Sequence, residues 1–204
     1  MRRSILVFVG VLAGLSASSA QTVSRSYSYF SIGGSTLEEI DKELAKRGPQ
    51  VKSTGRRHPG ATQMKFSTRL TYASNDRWCR VDKVNVTVNA RIILPRWNQR
   101  RRADGDTRIV WDTLSADIKR HEEFHVQIAK RHARELEQRI GKLDRRGTCE
   151  DLKERIDRVT AYVMDKHDEA QARFDRVEGI SFEDRMMRLL TYRLERIEKG
   201  QLKY

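Results

Sequence analysis

A five-residue segment in the second half of the sequence carries two histidines four positions apart. The segment is His121-Glu122-Glu123-Phe124-His125, an H-E-x-x-H motif. If it is helical, the two residues lie about 6 Å apart along the axis, and both imidazoles point to the same side and can reach one Zn²⁺ ion. The carboxylate of Glu122 then lies beside the metal, where it can take a proton from a zinc-activated water. The motif therefore predicts a zinc site at His121 and His125, with Glu122 as general base and not as ligand.

The residues around the motif predict an amphipathic helix from about Asp112 to about Ile140. One helical stripe of this segment collects apolar residues and histidines: Ile118, His121, His125, Ile128, His132 and Leu136. The pattern places both motif histidines in the middle of the buried face. The competing interpretation is a pair of ordinary core histidines, but each would need its own buried hydrogen-bond partner. The spacing therefore favours a zinc site.

A catalytic zinc site needs a third protein ligand and one position for water. His132 lies about 10 Å further along the axis than His125, so an unbroken helix would keep it from the same ion. The next predicted helix, from about residue 150 to about residue 177, offers His167 on its apolar stripe and Asp175 near its end. An antiparallel helix pair would bring this region back towards the motif. Geometry alone leaves the choice between His167 and Asp175 open.

The first twenty residues have the three-part layout of a secretory signal peptide. Arg2 and Arg3 precede an apolar run over residues 5–15, and small residues follow up to Ala20. The alternative is a membrane anchor, but the run is shorter than the about 20 apolar residues that a span needs. We predict a cleaved signal over residues 1–20 and a single mature domain over residues 21–204. The protein would then be periplasmic or extracellular, with no membrane span after cleavage.

The sequence contains two cysteines, Cys79 and Cys149. An even number of cysteines in an exported chain favours a disulfide over two free thiols.

The chain is also strongly basic, with a formal net charge of +13. The arginine-rich segment Arg96–Arg102 is a candidate for contact with acidic surfaces of the cell envelope. Export and the lack of a recognition motif argue against a nucleic-acid partner.

The hydrophobic pattern predicts the α+β class. Apolar and polar residues alternate over 64–72 and 84–94, which predicts two antiparallel strands with one face in water. A short strand and a short helix precede them, and Pro95 is expected to end the second strand. The remainder is helical, with a last helix over about 182–199. We therefore expect an N-terminal antiparallel sheet with a short helix, followed by long helices that carry a zincin-like site.

Several segments of the chain, most of them outside the motif, match the pattern of a known family. They are Trp78-Cys79 before the alternating strand, Ile93-Leu94-Pro95-Arg96-Trp97 at its end, the motif helix running on through Ile128 and Arg131, Cys149, and Phe174-Asp175. In this set the chain resembles a bacterial family of predicted secreted zinc-dependent proteases, also called a domain of unknown function. The resemblance covers most of the mature chain.

The resemblance also bears on the third ligand. In that family a Tyr-Asp pair near the end of the second helix precedes a Thr and a His-Gly. Here Phe174 replaces the tyrosine, Asp175 is kept, and the Thr and the His-Gly are missing from residues 176–180. The aspartate makes Asp175 the third ligand that the resemblance implies, ahead of His167.

Together these features predict an exported zinc metallopeptidase of the H-E-x-x-H type that acts on a peptide or protein substrate. One alternative is a protein of the cell envelope that binds zinc without cleaving anything. Another is a basic adhesion protein whose histidines are core residues. The presence of Glu122 favours the enzyme, because zinc binding alone does not require that glutamate.

Overall fold

The computed structural model describes residues 23–51 and 55–203. The predicted signal peptide lies outside these residues. Strands come first and long helices follow, so the α+β class predicted from the sequence is confirmed. The elements are β1 (Val23–Ile32), α1 (Leu37–Arg47), β2 (Gln50–Val51), β3 (Arg56–Arg57), β4 (Ala61–Asn75), β5 (Trp78–Trp97), α2 (Gly105–Gly141), α3 (Cys149–Ile180) and α4 (Phe182–Glu198).

The main sheet has the strand order β1-β5-β4, and a separate small sheet pairs β2 with β3. The predicted antiparallel pairing of β4 with β5 is confirmed, with Met64 opposite Ala90. The prediction of a wholly antiparallel sheet is wrong, because β1 runs parallel to β5, with Tyr27 opposite Ile92. A parallel pair cannot be closed by a hairpin. The chain between β1 and β5 makes this return through α1 and β4, and no local pattern in the sequence reports it.

The central strand β5 is longer than expected at its carboxyl end. It continues through Pro95 to Trp97, where the alternation predicted a stop at the proline. The pairing with β4 reaches only as far as Ile93, whereas β1 still pairs along the last residues of β5. A proline lacks the N–H group for a ladder bond, and it is tolerated where one side of the strand has no partner.

The two longest helices, α2 and α3, begin at polar caps. The Asp104 side chain accepts a hydrogen bond from the Thr107 backbone N–H at the start of α2, and Thr148 does the same for Asp151 at the start of α3. These caps satisfy N–H groups that have no partner inside the helix. The predicted long helices are confirmed as α2 and α3. α2 begins seven residues earlier than the apolar stripe indicated, because its cap lies in the polar segment before the stripe.

The core lies between the main sheet and the helices. The largest cluster of buried side chains comes from β5, α2 and α3. A second cluster surrounds α1, where the indole rings of Trp97 and Trp111 lie 5.7 Å apart between ring centres. The indole N–H of Trp97 donates to the Gly34 carbonyl at 2.8 Å. These contacts hold the first part of the chain against the amino-terminal half of α2.

A disulfide joins the start of β5 to the start of α3. The predicted pair, Cys79 and Cys149, is bonded with an S–S distance of 2.02 Å. Beside it, the Cys79 N–H donates to the Arg146 carbonyl at 2.7 Å, and the Arg146 N–H donates back at 2.8 Å. The loop between α2 and α3 is thus fastened to the sheet.

Among the described helices, none combines the length and the apolar character that crossing a membrane would require.

Candidate metal centre

Three side chains from two helices meet at one point, and we call them the His/His/Asp cluster. His121 and His125 project from α2, and Asp175 reaches them from near the end of α3. The two imidazole Nε2 atoms lie 3.0 Å apart. Oδ1 of Asp175 lies 3.0 Å from Nε2 of His125 and 3.3 Å from Nε2 of His121.

These distances fit a zinc ion. In a tetrahedral site with Zn–N and Zn–O bonds of about 2.0–2.1 Å, neighbouring ligand atoms lie about 3.3 Å apart. Two imidazole nitrogens and one carboxylate oxygen are also a ligand set typical of zinc. Three protein ligands leave one of the four positions for water or substrate. The residues present therefore fit the metal that the motif predicted.

The electrostatics of the cluster favour a cation. Burial lowers the pKa of His125, but hydrogen bonds with Asp175 and Gln171 and the negative charge of Asp175 outweigh burial and raise it. Burial raises the pKa of Asp175, but hydrogen bonds from the two histidines outweigh it and hold that pKa well below its usual range. The cluster therefore stabilises positive charge next to a carboxylate that stays ionised.

Glu122 lies deeper in the protein than the cluster. The residue is 5% exposed, and the Thr62 hydroxyl lies 2.8 Å from its Oε2 atom. Burial raises the pKa of Glu122, whereas the hydrogen bond from Thr62 and the nearby histidines lower it, and the net effect is a raised pKa. Among the described residues, the atoms that come close enough to share a metal ion belong to His121, His125 and Asp175, and the Glu122 carboxylate is not one of them. The structure thus places Glu122 beside the cluster and not in it.

The motif histidines are less buried than the sequence indicated. The side chains of His121 and His125 are 26% and 13% exposed, so the prediction that they lie in the middle of the buried face is wrong. The buried stripe of α2 instead follows Ile118, Glu122, Val126, Ala129, Ala133, Leu136 and Ile140. The sheet covers that stripe, whereas α3 covers the histidine edge only in part. The helical pattern alone did not show where the sheet ends.

The structure separates the two candidates for the third ligand. His167 is buried and is not in the cluster. One of its ring nitrogens, Nε2, lies 2.8 Å from the Gln171 amide nitrogen, and the other, Nδ1, lies 2.9 Å from Oδ1 of Asp168. Asp175 lies two helical turns further along α3 and meets the histidine pair. His132 is also buried away from the cluster, with its Nδ1 atom 2.9 Å from the Ile128 carbonyl.

Aromatic rings close one side of the cluster. The Phe174 ring stacks on His121 with 4.8 Å between ring centres and meets His125 edge-on at 5.1 Å. Phe124 stacks on the outer side of Phe174 at 4.5 Å. The rings shield the histidines from water on that side.

A cleft of about 400 Å³ borders the cluster where neither of these rings lines it, and its volume is within the usual range of ligand pockets. His121, Glu122 and Asp175 all line it. The segment before β4 forms one wall, and the end of α3 and the start of α4 form the other. Pro59 and Phe182 contribute apolar surface to these walls. The cleft therefore offers space for an apolar group beside both the cluster and the glutamate.

Paired charges support the wall opposite β4. Asp117 accepts from the Nε atoms of Arg120 and Arg185 at 2.8 and 3.1 Å. Glu178 pairs with the same two arginines and lies 3.6 Å from Nδ1 of His121. Two acidic and two basic groups balance one another and fasten α2, α3 and α4 together beside the cleft.

The arginine-rich segment is partly engaged within the protein. Arg100 forms two hydrogen bonds with Asp112, at 2.7 and 2.5 Å. The Arg96 guanidinium lies 4.7 Å from the ring centre of Tyr29. Contact of this segment with acidic surfaces of the cell envelope remains a prediction. In such a contact, Arg96 and Arg100 would already be paired with Tyr29 and Asp112 within the protein.

Sequence reasoning missed three residues that shape the site: Gly60, Thr62 and Gln171. Gly60 and Thr62 contact Glu122 across the fold, and nothing local in the sequence marks them. Gln171 had a detectable pattern, because it lies four residues from His167 and four from Asp175 on the same helix. Residues at that spacing share one helical face.

The fold and the site together define an α+β protein whose H-E-x-x-H helix meets a carboxylate from the following helix. The chain belongs to the family described as "Bacterial protein of unknown function (DUF922)", whose sequence model matches residues 27–183. That range includes the motif, both cysteines and Asp175. No curated protein and no solved structure matches the chain.

Proposed function

We propose that this protein is an exported zinc-dependent metallopeptidase. In this proposal His121, His125 and Asp175 hold the metal, and Glu122 is the general base. The observation that carries the proposal is the convergence of three potential ligand atoms beside a cleft that Glu122 also lines. Zinc held there would polarise the carbonyl group of the scissile peptide bond and activate a water for attack.

Glu122 performs the proton transfers. Its carboxylate takes a proton from the water as the oxygen bonds to the carbonyl carbon. It then returns the proton to the amide nitrogen as the C–N bond breaks. The raised pKa of Glu122 supports this role, because a base with a pKa nearer to neutral can both accept and return a proton. The hydrogen bond from Thr62 keeps one oxygen engaged and orients the other.

The proposal includes export with cleavage near Ala20. It rests on the order of basic, apolar and small residues in the first twenty positions, and the disulfide is compatible with an oxidising compartment. Mass spectrometry of the protein from its native host should give the mass of a chain that begins near Gln21. Recovery of the protein with Met1 attached would contradict this part of the proposal.

The decisive experiment compares Glu122→Gln with the wild type, both loaded with zinc, on a broad peptide library and on an unfolded protein. Glutamine matches glutamate in shape but cannot accept the proton. We expect hydrolysis to fall by on the order of 10² or more while bound zinc stays the same. Glu123→Gln is the matched control. The Glu123 carboxylate accepts a hydrogen bond from the Tyr27 hydroxyl at 2.6 Å, and a glutamine oxygen can accept it as well.

The outcomes separate the alternatives. Equal rates for Glu122→Gln and the wild type would contradict the role of the glutamate. A wild type that binds zinc but hydrolyses nothing would favour a non-catalytic zinc protein of the cell envelope. A wild type that binds no zinc would favour the basic adhesion protein with core histidines.

A further inference from the structure

The ring nitrogen of His125 that faces away from the cluster has a partner of its own. Nδ1 of His125 lies 2.6 Å from Oε1 of Gln171 on α3. The opposite ring nitrogen, Nε2, faces Asp175 and His121. A metal-binding histidine commonly has a hydrogen-bond partner on its second nitrogen, and that partner selects the nitrogen that binds the metal. Gln171 occupies this position.

The orientation of the Gln171 amide follows from its surroundings. Its nitrogen lies 3.2 Å from the backbone carbonyl of His125. A carbonyl oxygen can only accept a hydrogen bond, so the NH₂ group of the amide must face it. The amide oxygen therefore faces Nδ1 of His125.

This orientation decides which ring nitrogen of His125 carries the hydrogen. The amide oxygen also only accepts, so Nδ1 must carry the hydrogen. In the neutral ring the lone pair then lies on Nε2. That atom faces the other two members of the cluster. Gln171 thus holds His125 in the form that binds a cation through Nε2.

A second histidine holds Gln171 in turn. The Gln171 amide nitrogen lies 2.8 Å from Nε2 of His167, which must accept the hydrogen bond. The hydrogen of His167 is then on Nδ1, where it donates to Oδ1 of Asp168 at 2.9 Å. Burial lowers the pKa of His167, although the hydrogen bond with Asp168 raises it, and the net lowering favours the neutral ring that can accept. The Phe66 ring meets His167 edge-on with 5.1 Å between ring centres and limits its rotation.

We propose that Gln171 and His167 are positioning residues for the metal. Hydrogen bonds run from the amide of Gln171 to His167 and from His125 to Gln171, and they fix the tautomer and the ring orientation of His125. The inference rests on the metal site of the proposed function but not on peptide hydrolysis. It also accounts for the motif-like spacing on α3. His167 and Gln171 act through His125, whereas Asp175 contacts the metal directly.

A purely structural role for these residues makes a different prediction. If Gln171 and His167 only filled space between α2 and α3, their replacement would lower the unfolding temperature of the metal-free protein. The zinc affinity of the folded protein would stay the same. Positioning predicts a loss of zinc affinity in variants whose metal-free form remains folded.

The test uses the mature protein and titration with Zn²⁺ against a competing chelator. Gln171→Met keeps the length of the side chain and removes its hydrogen bonds, and the dissociation constant for zinc should rise about 10- to 100-fold. His167→Phe keeps a ring but removes the acceptor for Gln171, and it should cause a smaller rise. Gln127→Met, on the exposed side of α2, is the control and should bind zinc as the wild type does.

A spectroscopic measurement on the wild type decides the matter even if a variant fails to fold. In the zinc-loaded, ¹⁵N-histidine-labelled protein, NMR should find a hydrogen on Nδ1 of His125 and the metal on Nε2. A metal on Nδ1, or unchanged zinc affinity in folded Gln171→Met, would overturn the inference. A wild type without zinc affinity would overturn it together with the proposed function. Zinc binding without hydrolysis would overturn only the peptidase proposal.

Discussion

The Thr62 hydroxyl lies 2.8 Å from Oε2 of Glu122, although the two residues are 60 positions apart in the sequence. Thr62 belongs to β4 and Glu122 to α2. The contact therefore depends on how the helix packs across the sheet. It connects the edge of the sheet to the residue that we propose as the general base.

Removal of the Thr62 hydroxyl should weaken catalysis without removing the metal. A hydrogen bond to a charged group contributes about 1.5–3 kcal/mol, so we expect Thr62→Val to lower the rate of peptide hydrolysis by at least about tenfold and at most about 150-fold. The bond lowers the pKa of Glu122, so its loss should raise that pKa. The base works only when ionised, and the acidic limb of the pH–rate profile should therefore move to higher pH. Thr68→Val, at an exposed position of β4, is the control; an unshifted acidic limb in Thr62→Val would contradict the contact.

Gly60 is a position where a side chain would collide with the proposed base. A Cβ atom there would lie 2.8 Å from Oε1 of Glu122 and 2.8 Å from Cγ2 of Ile118. Gly60→Ala must displace the carboxylate, and we expect hydrolysis to fall at least about tenfold, with a stability loss of about 1–3 kcal/mol. Kinetic assay and denaturant unfolding measure the two effects. Gly147→Ala, where a Cβ atom meets nothing within 4 Å, should change neither. Wild-type kinetics in Gly60→Ala would show that the close approach has no functional role.

Asp175 should be required for tight zinc binding. Asp175→Ala removes one of the three proposed ligands, and we expect the zinc affinity to fall by at least about 100-fold, more than the change for a residue that only supports a ligand. His167→Ala should have a smaller effect, because His167 contacts Gln171 and not the cluster. Asp165→Ala removes an exposed carboxylate from the same helix and should bind zinc normally. A larger loss in His167→Ala than in Asp175→Ala would reverse the assignment of the third ligand.

The disulfide should contribute a large part of the stability. It joins residues 70 positions apart, and closing a loop of that length stabilises the folded state by about 4 kcal/mol in the chain-entropy model. Replacement of both Cys79 and Cys149 by serine should lower the unfolding temperature by about 10 °C. The double variant should also be insensitive to reductant, whereas the wild type should lose stability when reduced. Equal midpoints for reduced and oxidised wild type would contradict the prediction.

Asp117 should be a stability residue and not a catalytic one. Its side chain is 4% exposed and pairs with Arg120 and Arg185. Asp117→Ala leaves the largely buried Arg185 without this partner, and we expect a loss of about 3 kcal/mol in the free energy of unfolding. Asp157→Ala, at an exposed position of α3, should change stability by less than about 0.5 kcal/mol. A stability of Asp117→Ala equal to that of the wild type would mean that the ion pairs do not support the cleft wall.

The sequence by itself determined the elements and part of the site. Alternation along β4 and β5 predicted the hairpin, and the spacing of His121 and His125 predicted that both imidazoles share one helical face. Both features depend only on the repeat of a strand or of a helix, so neighbouring residues are enough to reveal them. The even cysteine count, together with the predicted signal peptide, predicted the disulfide.

Tertiary structure alone decided which distant groups meet. The parallel pairing of β1 with β5 depends on the path of the chain between these strands. Asp175, and not His167, meets the histidine pair because of how α3 lies on α2. The contacts of Gly60 and Thr62 with Glu122 depend on how α2 lies on the sheet. These packing angles come from the summed fit of many side chains, and no short segment encodes them. The sequence pattern misjudged the burial of the motif histidines for the same reason. The position of the sheet edge, and not the helix itself, decides where the cleft begins.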